Sequence, residues 1–373
     1  MKIVVIGPVY PFRGGIAHSN TLLCSNLSKN HDVVVLSFKR LYPKILFPGK
    51  AQKYEVKRKF DIKVEHIIDS VNPFNWLGVF LKIKKSGPDL IILQWWTTFL
   101  APFSFTLLWL IRHFTKIKVC IYCQSVLPLE RRSIDALPTK AVFSQTNYFV
   151  VLSKLEKKQL HEFRPKAKVK VMVEPTYEVQ FSEKIPKMEA KRKLGLKGNV
   201  ALFFGFVRPY KGLQYLIKAM PSVLREVDIT LLVVGEFWGG KEKYTQEIKK
   251  LGLAKNIKII DKYIPDEKVN IYFSAADVCV LPYLYSTQSG ILQVAFGYNV
   301  PVITTKVGSL VDLVKDSKTG YLVRPKNAKE LSRAIITYFN HNKEGAFVKA
   351  IKKEKKTFEW GKEKEKILFH GLK

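Results

Sequence analysis

Short runs of valine, isoleucine and leucine alternate with amphipathic stretches along the chain. In the first half the apolar runs are residues 2–7, 32–38, 89–94, 118–123 and 148–153. Near-continuous apolar runs are typical of strands that are buried on both faces of a parallel sheet. Segments such as residues 15–29 and 75–86 lie between them and have a helical pattern. The alternation predicts an α/β fold with a doubly wound sheet.

The same pattern begins again in the second half of the chain. Its apolar runs are residues 200–207, 229–235, 257–263, 278–283 and 300–305. A charged stretch with glycine and proline, residues 184–199, separates the two series and predicts a domain boundary near residue 180. Residues 349–366 have a helical pattern of mixed charge. Two similar α/β halves suggest a ligand at the carboxyl ends of both sheets.

The charge balance indicates an anionic partner. The chain has 63 Lys and Arg residues against 31 Asp and Glu residues, a formal net charge of +32. Such an excess suits nucleic acid, an acidic membrane surface or phosphorylated substrates. No helix-turn-helix, zinc-finger or aromatic RNA-binding motif is present, so we expect no nucleic acid partner.

The cysteines and the apolar segments indicate the compartment. Cys120 and Cys123 have no second cysteine or histidine pair to complete a zinc site, so buried thiols in a reducing compartment are expected. The first apolar run ends at Pro8 and predicts a strand rather than a signal peptide. Residues 99–116 combine apolar bulk, Trp109 and a cationic end. A helix buried against the sheet and a segment at a membrane surface both fit them. We expect a cytoplasmic protein that can lie peripherally on an anionic membrane.

Three segments have the composition of anion-binding loops. Gly14 and Gly15 follow the first strand and open a helix, where backbone N–H groups can approach a phosphate, although a plain tight turn fits equally well. Arg208 and Lys211 follow the first strand of the second half, where two cations can neutralise a diphosphate. Residues 287–290 begin a later helix, and their hydroxyl and N–H groups suit either an anion or ordinary capping.

Together these segments resemble the retaining glycosyltransferases of family four. The resemblance extends over most of the chain and depends on residues 204–217, 231–244, 272–283, 287–290, 297–310 and 318–325. It implies the GT-B fold, in which two Rossmann-like domains face each other across a cleft. The expected domains are residues 1–180 on the acceptor side and 181–357 for the donor, with a terminal helix over 358–373 that crosses back.

The resemblance also implies a reaction and its site. A sugar would move, with retention, from a UDP- or GDP-sugar to a glycan or lipid-linked acceptor in surface polysaccharide or glycolipid synthesis. Arg208 and Lys211 would hold the diphosphate, and no metal or other cofactor is expected. The other implied donor contacts are Gly14, Gly15, Glu236, Phe237, Tyr263, Ile264, Thr287, Gln288, Ser289 and Gly290.

The chain departs from the family at several positions. Ser286 and Val294 stand where relatives have paired glutamates, as in a Thr-Gln-Ser-Gly subset, and Gln124 and Glu174 stand where relatives have histidine. His18 follows the glycine loop and is either a catalytic residue or a packing residue. A non-catalytic GT-B partner subunit that binds a nucleotide sugar or glycan is therefore the alternative function.

Overall fold

The computed structural model describes residues 1–43, 45, 51–54, 60–128, 133–175 and 184–372. The chain divides into two compact units. The first comprises Met1–Val173 and Trp360–Lys373, and the second comprises Glu174–Glu359. The boundary expected near residue 180 lies outside the described residues.

The described strands of the first unit form one parallel sheet in the order β3-β2-β1-β4-β5-β6-β7. The strands are β1 (Lys2–Ile6), β2 (Asp32–Arg40), β3 (Lys63–Asp69), β4 (Leu90–Trp95), β5 (Lys118–Cys123), β6 (Tyr148–Val151) and β7 (Lys168–Val171). The helices are α1 (Gly15–Leu27), α2 (Pro73–Ser86), α3 (Ala101–Phe114), α4 (Ala136–Phe143) and α5 (Lys154–Phe163), joined from the C-terminus by α14 (Lys362–Phe369).

The helices of the first unit pack on both faces of its sheet. Buried residues of α2, α3, α4 and α5 share one apolar core with the sheet. Leu23 and Leu27 of α1 and Leu368 of α14 belong to a separate core. Because α2 and α3 pack into the same core, both helices lie on one face of the sheet. Their outer surfaces are therefore on the same side of the first unit.

The second unit repeats this arrangement, with a parallel sheet of described strands in the order β10-β9-β8-β11-β12-β13. The strands are β8 (Asn199–Phe204), β9 (Ile229–Val234), β10 (Ile257–Ile260), β11 (Val278–Leu281), β12 (Val302–Thr305) and β13 (Gly320–Val323). The helices are α6 (Lys187–Lys193), α7 (Leu213–Val223), α8 (Lys241–Lys250), α9 (Val269–Ala275), α10 (Gly290–Gly297), α11 (Leu310–Leu313), α12 (Ala328–Asn340) and α13 (Glu344–Glu354).

The structure confirms the predicted apolar strands and corrects the C-terminal helix. Residues 349–366 do not form one helix, because α13 ends at Glu354 and α14 begins at Lys362. Gly361 lies between the two helices with an extended backbone. The four cysteines are free and buried, as predicted.

Within residues 99–116, helix α3 has one buried face and several exposed apolar side chains. One face of α3 is buried, whereas Phe105, Trp109 and Phe114 are 37%, 40% and 54% exposed. Among the described residues, no helix has both the length and the apolar character needed to cross a bilayer.

Candidate functional site

Two glycines follow neighbouring strands at the carboxyl edge of the second sheet. Gly205 follows β8 with φ 100°, and Gly235 follows β9 with φ 147°. A Cβ atom on Gly235 would lie 2.1 Å from the carbonyl oxygen of Gly205. Only glycine combines this backbone conformation with so close a contact. The two loops that leave the sheet therefore begin in contact with each other.

A tight turn positions Lys211 above this edge. The turn Pro209–Lys211 ends at Gly212, whose φ is 70°. A Cβ atom on Gly212 would lie 1.9 Å from the carbonyl oxygen of Pro282. The backbone N–H of Leu284 also donates to the carbonyl of Tyr210 at 2.7 Å. The loop after β11 therefore holds the turn.

Lys211 is a buried cation. Its exposed fraction is 8%, so most of the side chain is removed from solvent. Burial, followed by the charge of Arg208, lowers the pKa of its ammonium to about 8. Within the described part of the chain, no carboxylate forms an ion pair with Lys211. A buried ammonium in this setting favours an anionic ligand.

Arg208 packs between two aromatic rings. Its guanidinium carbon lies 5.2 Å from the ring centre of Trp238 and 5.4 Å from that of Tyr210. Stacking of this kind holds a guanidinium in place while its edge can still donate hydrogen bonds. Arg208 is also close enough to Lys211 to lower the pKa of that lysine. The structure thus brings together the two cations that the sequence assigns to a diphosphate.

The segment after β9 is bonded to the loop after β8. The backbone N–H of Val207 donates to the carbonyl of Glu236 at 2.9 Å. The backbone N–H of Phe237 donates to Oδ1 of Asp261 at 3.1 Å. Glu236 and Ile264 are only 4% and 6% exposed. Direct base contacts from these two side chains are therefore limited, although both lie in loops at the same sheet edge.

Of the aromatic cluster beside these loops, the sequence predicted only Tyr263 as a site residue. The ring of Phe206 lies 4.7 Å from that of Trp238 and 5.6 Å from that of Tyr263. Both unpredicted aromatics follow strand-ending glycines, in the sequences Gly205-Phe206 and Gly235-Glu236-Phe237-Trp238. An aromatic residue within three positions after such a glycine is the sequence signal that could have identified them.

The start of α10 also lies beside Gly205. Ser289 caps this helix, because its Oγ accepts from the N–H of Leu292 at 3.3 Å. Ser286 Oγ donates to the carbonyl of Gln288 at 2.7 Å and orders the preceding turn, which includes Thr287. A Cβ atom on Gly205 would lie 2.9 Å from Nζ of Lys211 and 3.4 Å from Cδ1 of Ile291. Gly205 therefore lies between Lys211 and the first turn of α10, which starts at Gly290.

The remaining predicted residues lie in the first unit. Gly14 has φ 107° and caps α1, and a Cβ atom on Gly15 would have no heavy atom within 4 Å. The predicted helix start is confirmed. His18 is half-buried in the first turn, and its N–H donates to the carbonyl of Gly14 at 3.1 Å.

Gln124, at the family's histidine position, belongs to a buried polar cluster. Its Nε2 donates to Oε1 of Gln94 at 3.1 Å and lies 3.4 Å from Oγ of Ser19. This amide bonding fixes the side chain but gives it no basic character. The described residues do not include Glu130, which follows Gln124 in the sequence, or Tyr177, which follows Glu174.

Within the described part of the chain, no group of three or more His, Cys, Asp or Glu side chains is arranged to hold a metal ion.

Comparison with known proteins identifies the fold of the chain and a family that part of the second unit matches. The chain has the GT-B fold: sucrose-phosphate synthase from Thermosynechococcus elongatus superposes with a TM-score of 0.77, 18% identity and coverage of 99% of this chain and 97% of that one. Anabaena HepE, solved in complex with UDP-glucose, gives a TM-score of 0.75 at 17% identity, covering 99% and 98%. Residues 198–341 match the family described as glycosyl transferases group 1. The predicted resemblance is therefore confirmed for the family over residues 198–341, and for the GT-B fold over 99% of the chain.

A curated relative extends the sequence match. An uncharacterized glycosyltransferase of Methanocaldococcus jannaschii is 24% identical over 220 residues, which are 57% of this chain and 56% of the relative. The match thus spans about half the length of that relative.

Proposed function

We propose that the protein is a retaining glycosyltransferase that takes a sugar from a nucleotide-diphosphate donor. The observation that supports this most strongly is Lys211, a buried ammonium that lies beside Arg208 and the first turn of α10. A nucleotide diphosphate would supply the negative charge that this environment favours. HepE was solved with UDP-glucose, so uridine donors are the first to test, followed by guanosine donors.

The site residues have defined roles in this reaction. The bond between the anomeric carbon and the diphosphate oxygen breaks, and an acceptor oxygen bonds to that carbon on the same face. Arg208, Lys211 and the N–H groups at Ser289 and Gly290 stabilise the charge on the departing diphosphate. The acceptor proton passes to a diphosphate oxygen, so no protein base is required.

The alternative is a partner subunit that binds a nucleotide sugar or glycan without turning it over. Gln124 favours this alternative, because an amide in the family's histidine position cannot exchange a proton near neutral pH. The two functions share the donor site and differ only in turnover.

The acceptor that we infer is a glycan or a lipid-linked sugar, as in surface polysaccharide or glycolipid synthesis. The outer faces of α2 and α3 support a location at an anionic membrane. Phe74, Leu77 and Leu81 of α2 are 90%, 51% and 55% exposed, and Trp109 is exposed on α3. These helices also end in cations, namely Lys84, Lys85 and Arg112. Apolar side chains beside cations match the boundary between lipid headgroups and acyl chains.

Thermal unfolding with UDP- and GDP-sugars tests donor binding, because a ligand that binds only the folded state raises the melting temperature. Release of the nucleotide then separates the two functions. A transferase releases UDP or GDP, whereas a partner subunit binds the donor and releases neither. His18→Ala tests the base-free mechanism, since loss of a positioned base costs about 10²–10⁴-fold. A loss of that size would contradict the mechanism.

A further inference from the structure

A cavity of about 660 Å³ lies at the amino edge of the first sheet. The first residues of β4, β5, β6 and β7 line it, namely Leu90, Lys118, Tyr148 and Lys168. In a parallel sheet all strand starts lie at one edge, opposite the carboxyl edge where ligands of α/β folds usually bind. This cavity, called the basic pocket below, belongs wholly to the first unit. It does not depend on the donor site.

The basic pocket is strongly cationic. Its lining includes five cations, which are Arg112, Lys116, Lys118, Arg164 and Lys168. None of its described lining residues is acidic, and none of the five cations forms an ion pair with a described carboxylate. Five positive charges around one cavity repel one another unless an anion binds among them.

Backbone contacts fix the two arginines at the wall. Nη1 of Arg112 donates to the carbonyl of Ser144 at 3.0 Å. Nη2 of Arg164 lies 3.4 Å from the carbonyl of Thr146 and also donates to Oδ1 of Asn147. Carbonyl and amide acceptors orient a guanidinium without neutralising its charge. Each arginine therefore still presents a full positive charge and further N–H groups.

The C-terminal segment supplies another wall. Gly371 lies against the ring of Tyr148, where a Cβ atom would be 2.3 Å from a ring carbon. The hydroxyl of Tyr148 donates to the carbonyl of Ile367. The segment after α14 is thus fixed across the start of β6. The volume is within the range of about 300–1,000 Å³ that small-molecule sites occupy.

We propose that the basic pocket binds a phosphate-bearing ligand. Phosphate is the anion that arginine and lysine bind most effectively together, through forked and point-charge contacts respectively. Two sources offer this group: a free phosphate compound and the headgroup of an anionic lipid. Trp109 and Phe114, exposed on α3 just before Lys116, lie within a few residues of the pocket.

The test uses full-length protein with Arg208→Ala and Lys211→Ala, which removes the proposed donor site. In this background Lys118→Gln with Lys168→Gln removes two exposed pocket cations. The matched control, Lys249→Gln with Lys250→Gln, removes two exposed cations from the last turn of α8. One arm measures pyrophosphate binding by calorimetry. The other measures sedimentation with phosphatidylcholine vesicles that contain phosphatidic acid, against phosphatidylcholine alone.

We expect the pocket variant to bind pyrophosphate, the anionic vesicles or both about 10- to 100-fold more weakly than the control does. Loss of pyrophosphate binding alone identifies a soluble phosphate, and loss of vesicle binding alone identifies a lipid headgroup. Equal binding by the pocket variant and the control, or no binding in either arm, would overturn the proposal. Because the background already lacks Arg208 and Lys211, these outcomes are independent of whether the protein is a transferase.

Discussion

Nζ of Lys211 lies 2.9 Å from the point that a Cβ atom on Gly205 would occupy. The glycine after β8 therefore leaves room for the buried ammonium, and the same glycine contacts the first turn of α10 through Ile291. This contact links the loop after β8 to the start of α10, two segments that are far apart in the sequence.

Gly205→Ala should weaken nucleotide-diphosphate binding by about tenfold or more, because the new methyl group displaces the ammonium and its charge-assisted hydrogen bond. The variant should also lose about 1 kcal/mol of stability, since φ at this position is 100°. Calorimetry and denaturant unfolding measure the two effects. Gly252→Ala is the matched control, because Gly252 has φ 68° and open space around it. If both variants bind equally well, Gly205 does not position Lys211.

Donor affinity should depend on pH through Lys211. Burial lowers the pKa of this lysine to about 8, so its ammonium is charged at pH 7 and loses its proton as the pH rises through 8. Affinity should be constant below that pH and then fall by up to about tenfold per pH unit. Calorimetry between pH 7 and 9.5 measures this, with Lys211→Gln as the control. A flat profile for the unaltered protein would contradict the assignment.

Stability should depend on pH through Glu156, which α5 buries beneath the loop after β6. Burial raises the pKa of this carboxyl from 4.5 to about 8, although Oε2 accepts from the N–H of Leu152 at 3.1 Å. The folded state then holds a proton that the unfolded state releases, so the free energy of unfolding should fall as the pH rises from about 4.5 to about 8. Glu156→Gln should remove this component.

Denaturant unfolding at several pH values measures the effect. Glu162→Gln, at an exposed position of the same helix, is the control and should follow the unaltered protein. A Glu156→Gln profile parallel to that of the unaltered protein would refute the role of Glu156.

Binding to anionic vesicles should combine charge with apolar contact. The protein should sediment with anionic vesicles at low salt and be released as salt rises, because salt screens its positive field. Trp109→Ser should weaken binding by about 1 kcal/mol, or about fivefold, beyond the electrostatic part. Met188→Ser is the control, since Met188 is 75% exposed on the second unit. Equal binding to neutral and anionic vesicles would contradict the inferred membrane surface.

Central strands were predictable from the sequence, and the edge strands β3 and β7 were not. Strands such as β1 and β8 are buried on both faces and appear as continuous apolar runs. By contrast, β3 and β7 lie at the edges of their sheet and alternate apolar residues with lysine, glutamate or histidine. Solvent on one side of an edge strand removes the continuous pattern.

The site was predictable only in part. Arg208 and Lys211 were identified because cations that follow a parallel strand lie at the ligand-binding edge. The burial of Lys211 could not be predicted in this way, because it depends on the close approach of Gly212 to the carbonyl of Pro282. That approach occurs because β8 and β11 are neighbours in the sheet. The five cations of the basic pocket come from separate segments in the same way. They converge only because β5, β6 and β7 begin at one edge.

The most direct test of the central claim is proton NMR of the anomeric signals during turnover of UDP- and GDP-sugars with candidate acceptors. We expect a product with the anomeric configuration of the donor. Arg208→Ala and Lys211→Ala should each weaken donor binding by about 1.5–3 kcal/mol per lost hydrogen bond and reduce turnover strongly. Inversion at the anomeric carbon, or unchanged binding and turnover in both variants, would contradict the account.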